Sequence, residues 1–112
     1  MVRTVINMTG HPLTLIQWDG SKVELESAGQ LRVYSNVEEV GMLDIASVTV
    51  PLLEIVEQTV RLPDPKPDTL FVVSGIVAAK ARRPDLVVPS RIVRDDSGKA
   101  IGCRALARVR LS

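Results

Sequence analysis

The spacing of apolar positions changes at Ser74. Before it, residues from Leu70 to Val73 form a continuous aliphatic and aromatic run that fits a buried strand. After it, apolar residues between Ile76 and Ala81 recur at helical spacing. Ser74 is suited to cap a helix, and Pro84 disfavours the α conformation in the residue before it. The pattern predicts a buried strand followed by a short helix from Ser74 to Arg82.

Much of the remaining chain alternates apolar and polar residues over short stretches bounded by turn residues. From Lys22 to Glu26 the alternation places two apolar side chains on one face and three charges on the other, which is typical of a half-solvated antiparallel strand. Turn chemistry is supplied by Asp19-Gly20 and by the four residues from Asp95 to Gly98. Further strands are predicted from Val2 to Met8, Leu13 to Trp18, Leu31 to Ser35, Ser47 to Val50, Leu86 to Val88, Arg91 to Arg94 and Lys99 to Leu106. The stretch from Leu52 to Leu62 fits either one turn of helix or a long strand, and its β-branched residues favour the strand.

Several stretches leave alternatives open. The residues from Glu38 to Ile45 have no clear pattern, and Pro51 indicates an edge strand because it lacks a backbone donor. The proline-rich segment from Leu62 to Asp68 fits either a stiff spacer or a polyproline ligand, and the spacer is preferred. Pro89 is expected to turn the chain. The alternating residues from Arg108 to Leu111 are candidates to extend the sheet.

The fold class that follows is α+β, a single domain over residues 1–112 with a mainly antiparallel sheet of six to eight short strands and one short helix. Apolar residues make up 46% of the chain and charged residues 24%, which excludes a disordered chain. Aromatic residues are only 3%, so nucleic-acid binding by stacking is disfavoured. No export signal or membrane-length apolar run is recognised, and the single cysteine favours the cytoplasm.

Charge is unevenly distributed along the chain. Residues 1–79 carry a net −5 and residues 80–112 a net +6, for a total of +1. This asymmetry fits either an anionic partner or pairing of the two parts within one domain, and the second is preferred. The mean hydropathy of +0.18 in so small a chain predicts a homo-oligomer, because one protomer would leave apolar strand surface uncovered.

The residue types in the sequence give little support to a catalytic or a metal-binding site. One histidine and one cysteine do not supply the usual ligands of a structural zinc, and no metal or cofactor is expected. Ser74 lies at a strand-to-helix turn but lacks the Gly-x-Ser-x-Gly pattern of a hydrolase nucleophile. Cys103 and His11 could form a thiolate–imidazole pair, yet a buried thiol is the commoner state of a strand cysteine. An enzyme is therefore disfavoured.

Anion binding is better supported by the residue types. The helix start at Ser74-Gly75 offers free backbone N–H groups, and arginines are concentrated in the last third of the chain. The planar guanidinium suits phosphate or carboxylate. The alternative is that Arg83, Arg94 and Arg104 form surface ion pairs with Asp85, Asp95 and Asp96.

Motifs in a fixed order along nearly the whole chain resemble a family of small uncharacterised proteins found in bacteria and tailed phages. The resemblance implies no activity. It does imply that the polar residues at the motif positions belong together, and polar motif residues more readily form a site than a core. The motifs are Asn7-x-Thr9-x-His11-Pro12, Val73-Ser74 with Val77-Ala78, Arg83-x-Asp85 with Pro89, and Arg94-Asp95 leading into Gly98 and Ile101-Gly102-Cys103-Arg104.

Two functional hypotheses follow. The first is a non-enzymatic binding module for a small anionic ligand, with a nucleotide as one candidate. The second is a structural or interaction accessory protein of phage or mobile-element origin, in which the same residues only join strands. The residues predicted to bind the ligand are Asn7, Thr9, His11, Ser74, Gly75, Arg83, Asp85, Arg94 and Arg104.

Overall fold

A computed structural model describes residues 2–111. It contains eight strands and one short helix, in agreement with the mostly β domain with one helix that the alternation and turn residues predict. In chain order the elements are β1 (Thr4–Asn7), β2 (Leu13–Ile16), β3 (Lys22–Leu25), β4 (Val33–Ile45), β5 (Val48–Val60), β6 (Thr69–Val72), α1 (Gly75–Ala81), β7 (Leu86–Arg94) and β8 (Ala100–Ala107).

Six of the strands form one sheet in the order β1-β6-β7-β8-β2-β3. The sheet is mixed: β1 with β6, β6 with β7 and β2 with β8 are parallel, whereas β7 with β8 and β2 with β3 are antiparallel. The prediction of a mainly antiparallel sheet therefore needs correction. Parallel neighbours require long connections, and such long-range pairing leaves no mark on the local alternation of residues.

The two ends of this sheet are joined by the chain that follows β3. Asn7 at the end of β1 bridges Ser27, and Thr9 bridges Gln30. Backbone hydrogen bonds run from Ala28 N to Asn7 O at 2.8 Å and from Leu31 N to Met8 O at 3.1 Å. The sheet consequently curls back on itself, and its two faces pack two separate apolar clusters.

Helix α1 covers one face of the sheet. The Ser74 hydroxyl accepts a hydrogen bond from Val77 N and caps the helix, and Arg82 ends it in the left-handed conformation. The helix was predicted here from the same signals, and the structure confirms it. Val77 and Ala78 are buried in a cluster with Phe71, Val73 and Leu86.

The opposite face packs the second cluster, formed by Leu13, Val72, Val87 and Cys103. Neighbouring residues of β6 divide between the clusters because successive strand side chains point to opposite faces. Phe71 lies in the helix-side cluster and Val72 in the other. A strand buried on both sides explains the continuous apolar run from Leu70 to Val73.

Several predicted boundaries are wrong. The second strand ends at Ile16 rather than at Trp18, β7 continues through Pro89, and β8 ends at Ala107. Pro89 lies inside β7, opposite Leu106 of β8. The residues from Arg108 to Leu111 accordingly do not extend the sheet.

The largest difference from the prediction is a long hairpin. Strands β4 and β5 each contain 13 residues and pair only with each other, so not all strands are short. We call residues 33–60 the arm and the other described residues the body. Val33 and Val60 at the base of the arm pack against the helix-side cluster. Within residues 2–111, no helix has the length and apolar character needed to cross a membrane.

Candidate functional site

The predicted site residues near the start of the chain form one hydrogen-bonded network. Asn7 is buried, and its Nδ2 donates to His11 O at 2.8 Å and to Leu25 O at 2.9 Å. Its Oδ1 accepts from Thr9 N at 3.0 Å and from Thr9 Oγ1 at 2.6 Å. The network uses the main chain of His11 and leaves its ring exposed at the surface. All polar groups of the Asn7 side chain are thus engaged in joining strand ends.

The residues around α1 are engaged in local contacts. Ser74 caps the helix, as described above. Arg83 and Asp85 form a bidentate pair, with Nε to Oδ1 at 2.6 Å and a second nitrogen to Oδ2 at 2.7 Å. These hydrogen bonds hold the pKa of Asp85 below its usual value and raise the pKa of Arg83. Gly75 is the first residue of the helix.

The other two predicted arginines lie in different places. Arg94 donates to Gly98 O at 3.0 Å within the β7–β8 turn. In that turn, hydrogen bonds from Ser97 and then from Lys99 N lower the pKa of Asp95. Arg104 donates to Gln17 O at 2.9 Å and faces an open groove. The predicted site residues thus fall into separate local networks, and of the nine only Arg104 lines this groove.

Cys103 and His11 lie in different surroundings. Cys103 is fully buried as a free thiol, whereas His11 is exposed and lines a small hollow of about 270 Å³ together with Ile101 and Gly102. For the described residues, no group of three or more histidine, cysteine or carboxylate side chains is arranged to hold a metal ion. Every buried side-chain nitrogen or oxygen over the same residues has a hydrogen-bond partner.

Arg104 faces a wide groove in the body. This groove has a volume of about 820 Å³ and lies where β2, β3, β7 and β8 approach one another. We call it the basic groove. Its lining residues are Leu15, Ile16, Gln17, Trp18, Ser21, Lys22, Val23, Arg91, Cys103, Arg104, Ala105 and Leu106.

Three cations and an exposed indole mark this groove. Lys22, Arg91 and Arg104 line it, and none of its described lining residues is acidic. Trp18 lies at the groove with 89% of its surface exposed, an unusual position for the only tryptophan of the chain. An apolar floor with cations and an aromatic ring suits a partner that is both apolar and anionic.

Sequence reasoning missed Trp18, Lys22 and Arg91 as groove residues. Trp18 and Lys22 flank the loop between β2 and β3, and the predicted hairpin turn at Asp19-Gly20 could have drawn attention to them. Arg91 has a positive φ of 51°. Its neighbours Ser90 and Ile92 pair with Ala105 and Cys103 of β8. Its proximity to Arg104 follows from that pairing, which the sequence alone did not locate residue by residue.

The arm is the second unusual feature, because its apolar side chains are exposed. Eleven large apolar residues between positions 37 and 56 are 38–62% exposed. The total accessible surface is 8126 Å², whereas a compact monomer of this mass would expose about 6,100 Å². The radius of gyration is 18.1 Å, compared with about 13 Å for a compact chain of this length. The arm therefore projects from the body.

The outer half of the arm has two different faces. Cross-strand partners share a face, and beyond Val40 the pairing is regular up to the turn. One face carries only apolar side chains apart from Gly41, and we call this group the tip face. The other carries Met42, Pro51 and the hydrogen-bonded pair of Asp44 and Thr49, whose oxygens are 2.6 Å apart. The tip face consists of Leu43, Ile45, Val48, Val50 and Leu52.

The charges of the arm have one sign. Residues 33–60 contain five acidic and no basic side chains. Because the whole chain carries +1, the residues outside the arm carry +6. Glu38 and Glu54 are direct cross-strand partners, a like-charge pair that destabilises a free hairpin.

The turn at the end of the arm also has a backbone conformation that its two residues adopt unfavourably. Ala46 and Ser47 form a two-residue connection between Ile45 and Val48, and both have positive φ, of 49° and 72°. Glycine and asparagine are the residues that adopt this conformation readily. Neither the charges nor the turn of the arm favours the hairpin by itself, so its stability depends on its base and on whatever covers it.

Comparisons with protein-family models, with curated proteins and with solved structures found no match to this chain. The resemblance to small bacterial and phage proteins accordingly stays a prediction.

Proposed function

We propose that this chain is a non-enzymatic interaction protein that assembles with copies of itself through the arm. The observation that carries the proposal is the surplus of exposed surface, about 2,000 Å² above that of a compact monomer of this mass. A standard protein interface covers about 800 Å² on each partner. The surplus is thus large enough for at least one full interface.

The tip face supports the same proposal. A continuous group of five exposed aliphatic side chains without a charge is typical of a surface that another protein covers. Both strands of the arm are also edge strands, whose free backbone groups invite further pairing. The homo-oligomer expected from hydropathy therefore acquires a definite candidate surface. A cytoplasmic location belongs to the same proposal, because the single cysteine is a buried free thiol.

Light scattering coupled to size-exclusion chromatography tests this proposal with two matched variants. Ile45→Glu places a carboxylate on the tip face, and Met42→Glu places one on the opposite face at a similarly exposed apolar residue. Both variants add the same charge to the arm. We expect the wild type and Met42→Glu to exceed the monomer mass of 12.2 kDa and Ile45→Glu to approach it. A monomeric wild type at high micromolar concentration would contradict the proposal.

A second candidate function is the binding of a small anionic ligand in the basic groove. The observation that favours it is the presence of three cations and no carboxylate among the described lining residues. A ligand at a hundred times its dissociation constant should stabilise the protein by about 2.7 kcal/mol. Thermal-shift measurements with nucleotides and inorganic phosphate test it, with Arg91→Ala expected to abolish the shift and Arg94→Ala, outside the groove, expected to preserve it.

A further inference from the structure

We infer that the basic groove of one copy receives the arm of a second copy. This inference rests on the proposed function and names the surface to which the arm binds. The alternative is that two arms pack against each other, tip face to tip face. The charges, the shape of the groove and the exposure of the arm distinguish the two arrangements.

Charge favours contact of the arm with the body. Two arms packed together would carry ten carboxylates and no cation between them, because each arm has five acidic residues and no basic one. Like charges in contact disfavour a partner strongly. The groove instead offers Lys22, Arg91 and Arg104. The opposed carboxylates of Glu38 and Glu54 would there meet cations that offset their mutual repulsion.

The apolar surfaces also correspond. Between its cations the groove has a floor of aliphatic residues that includes Leu15, Val23 and Leu106. Its volume of about 820 Å³ has room for several aliphatic side chains. The tip face presents five such side chains. Trp18, with its exposed indole, is placed to cover them as an interface aromatic residue.

The occupant of the groove is a second copy rather than the arm of the same chain. The arm begins and ends at Val33 and Val60, which pack on the helix side of the sheet. Ile45 and Val48 at the far end of this arm are 62% and 59% exposed, so they are not inserted in a groove of their own body. Each copy therefore offers one groove and one uncovered arm. Two copies can insert their arms into each other's grooves, or several copies can do so head to tail around a closed ring.

A complementation experiment with full-length variants tests the inference. The first variant, Ile45→Glu with Val50→Glu, disables the arm and leaves the groove intact. The second, Lys22→Glu with Arg91→Glu, reverses two groove cations and leaves the arm intact. Both groove side chains are exposed, so the fold should be preserved. Circular dichroism and thermal unfolding of each variant check this.

We expect each variant alone to be monomeric and their mixture to form a one-to-one dimer through the single remaining arm and groove. Lys99→Glu with Arg108→Glu, which makes the same charge change outside the groove, should associate like the wild type. If arms pack on arms, the groove variant will still self-associate and the mixture will form no mixed dimer, and the inference is overturned. A wild type that is itself monomeric would instead contradict the proposed function.

Charge reversal provides an independent readout. Glu38→Lys with Glu54→Lys, introduced into the groove variant, should restore self-association by at least tenfold in dissociation constant, because the reversed charges attract again. No restoration in a folded variant would overturn the inference. The wild-type association should also weaken as salt concentration rises.

Discussion

Replacing Gly102 by alanine should destabilise the protein through a steric conflict between β8 and β2. A Cβ atom added at Gly102 would lie 2.7 Å from Ile16 Cδ1 and 2.8 Å from the backbone oxygen of Thr14. Both distances are below any ordinary carbon contact. The Ile16 side chain is buried and has little freedom to rotate, and the Thr14 oxygen cannot move without moving β2. The parallel contact of β2 with β8, registered at Leu15 and Cys103, must therefore open.

The expected loss follows from the cost of overpacking a filled core, which is about 1–3 kcal/mol. With a urea m-value of about 1.5 kcal/mol/M, a loss of 2 kcal/mol would lower the unfolding midpoint by about 1.3 M. Circular dichroism is the suitable probe, because the exposed Trp18 reports poorly on burial. All samples need the same protein concentration, since association contributes to the apparent stability.

Gly75→Ala is the matched control. An added Cβ there meets no atom within 4 Å, and the residue begins α1, where alanine is the better helix former. We expect this variant to unfold at or above the wild-type midpoint. Trimming Ile16 to valine in the Gly102→Ala background should recover at least about 0.5 kcal/mol beyond additivity. Equal stability of the two alanine variants would refute the account of the β2–β8 contact.

Three further predictions concern hydrogen bonding and the turn of the arm. Asn7→Asp should lower the free energy of unfolding by about 3 kcal/mol or more in chemical denaturation, because a buried carboxylate would face the carbonyls of His11 and Leu25. The control His11→Ala should leave the free energy of unfolding nearly unchanged. Asp85→Asn should make the free energy of unfolding less dependent on pH in acid. The pKa of Asp85 is lowered in the folded protein. Its contribution to stability is therefore present above the unfolded-state pKa of about 3.9 and lost as the pH falls through the folded-state pKa. Equal acid sensitivity of variant and wild type would exclude this pair as a source. Ser47→Gly should relieve the positive φ and stabilise the arm by about 0.5–1 kcal/mol, visible as slower amide exchange in β4 and β5.

Local signals were sufficient for α1 and for the turns at Asp19-Gly20 and from Asp95 to Gly98. The helix depends on a capping serine, helical spacing and a following proline, all within a few residues, and the structure confirms it from Gly75 to Ala81. The β7–β8 turn likewise depends on Asp95 and its immediate neighbours, which accept and donate hydrogen bonds within the turn. Such elements are determined by chemistry that the chain carries locally.

The arm escaped prediction as one element for two physical reasons. Its pairing shifts register near Val40 and Val56, so the period-two alternation is interrupted within each strand. It also carries apolar side chains on both faces because much of its surface is uncovered in the single chain. The alternation of apolar and polar residues that marks a strand with one buried and one solvated face is therefore not seen in the arm.

The sequence by itself determined the helix, the turns at Asp19-Gly20 and from Asp95 to Gly98, the mostly β composition and the separation of acidic and basic parts. Only the tertiary structure decided that Lys22, Arg91 and Arg104 line one groove and that Asn7 and Arg83 belong to different networks. The reason is the range of the interactions involved. Capping and turn bonds form between near neighbours in the chain, whereas the groove exists because β2 pairs in parallel with β8, about ninety positions further along.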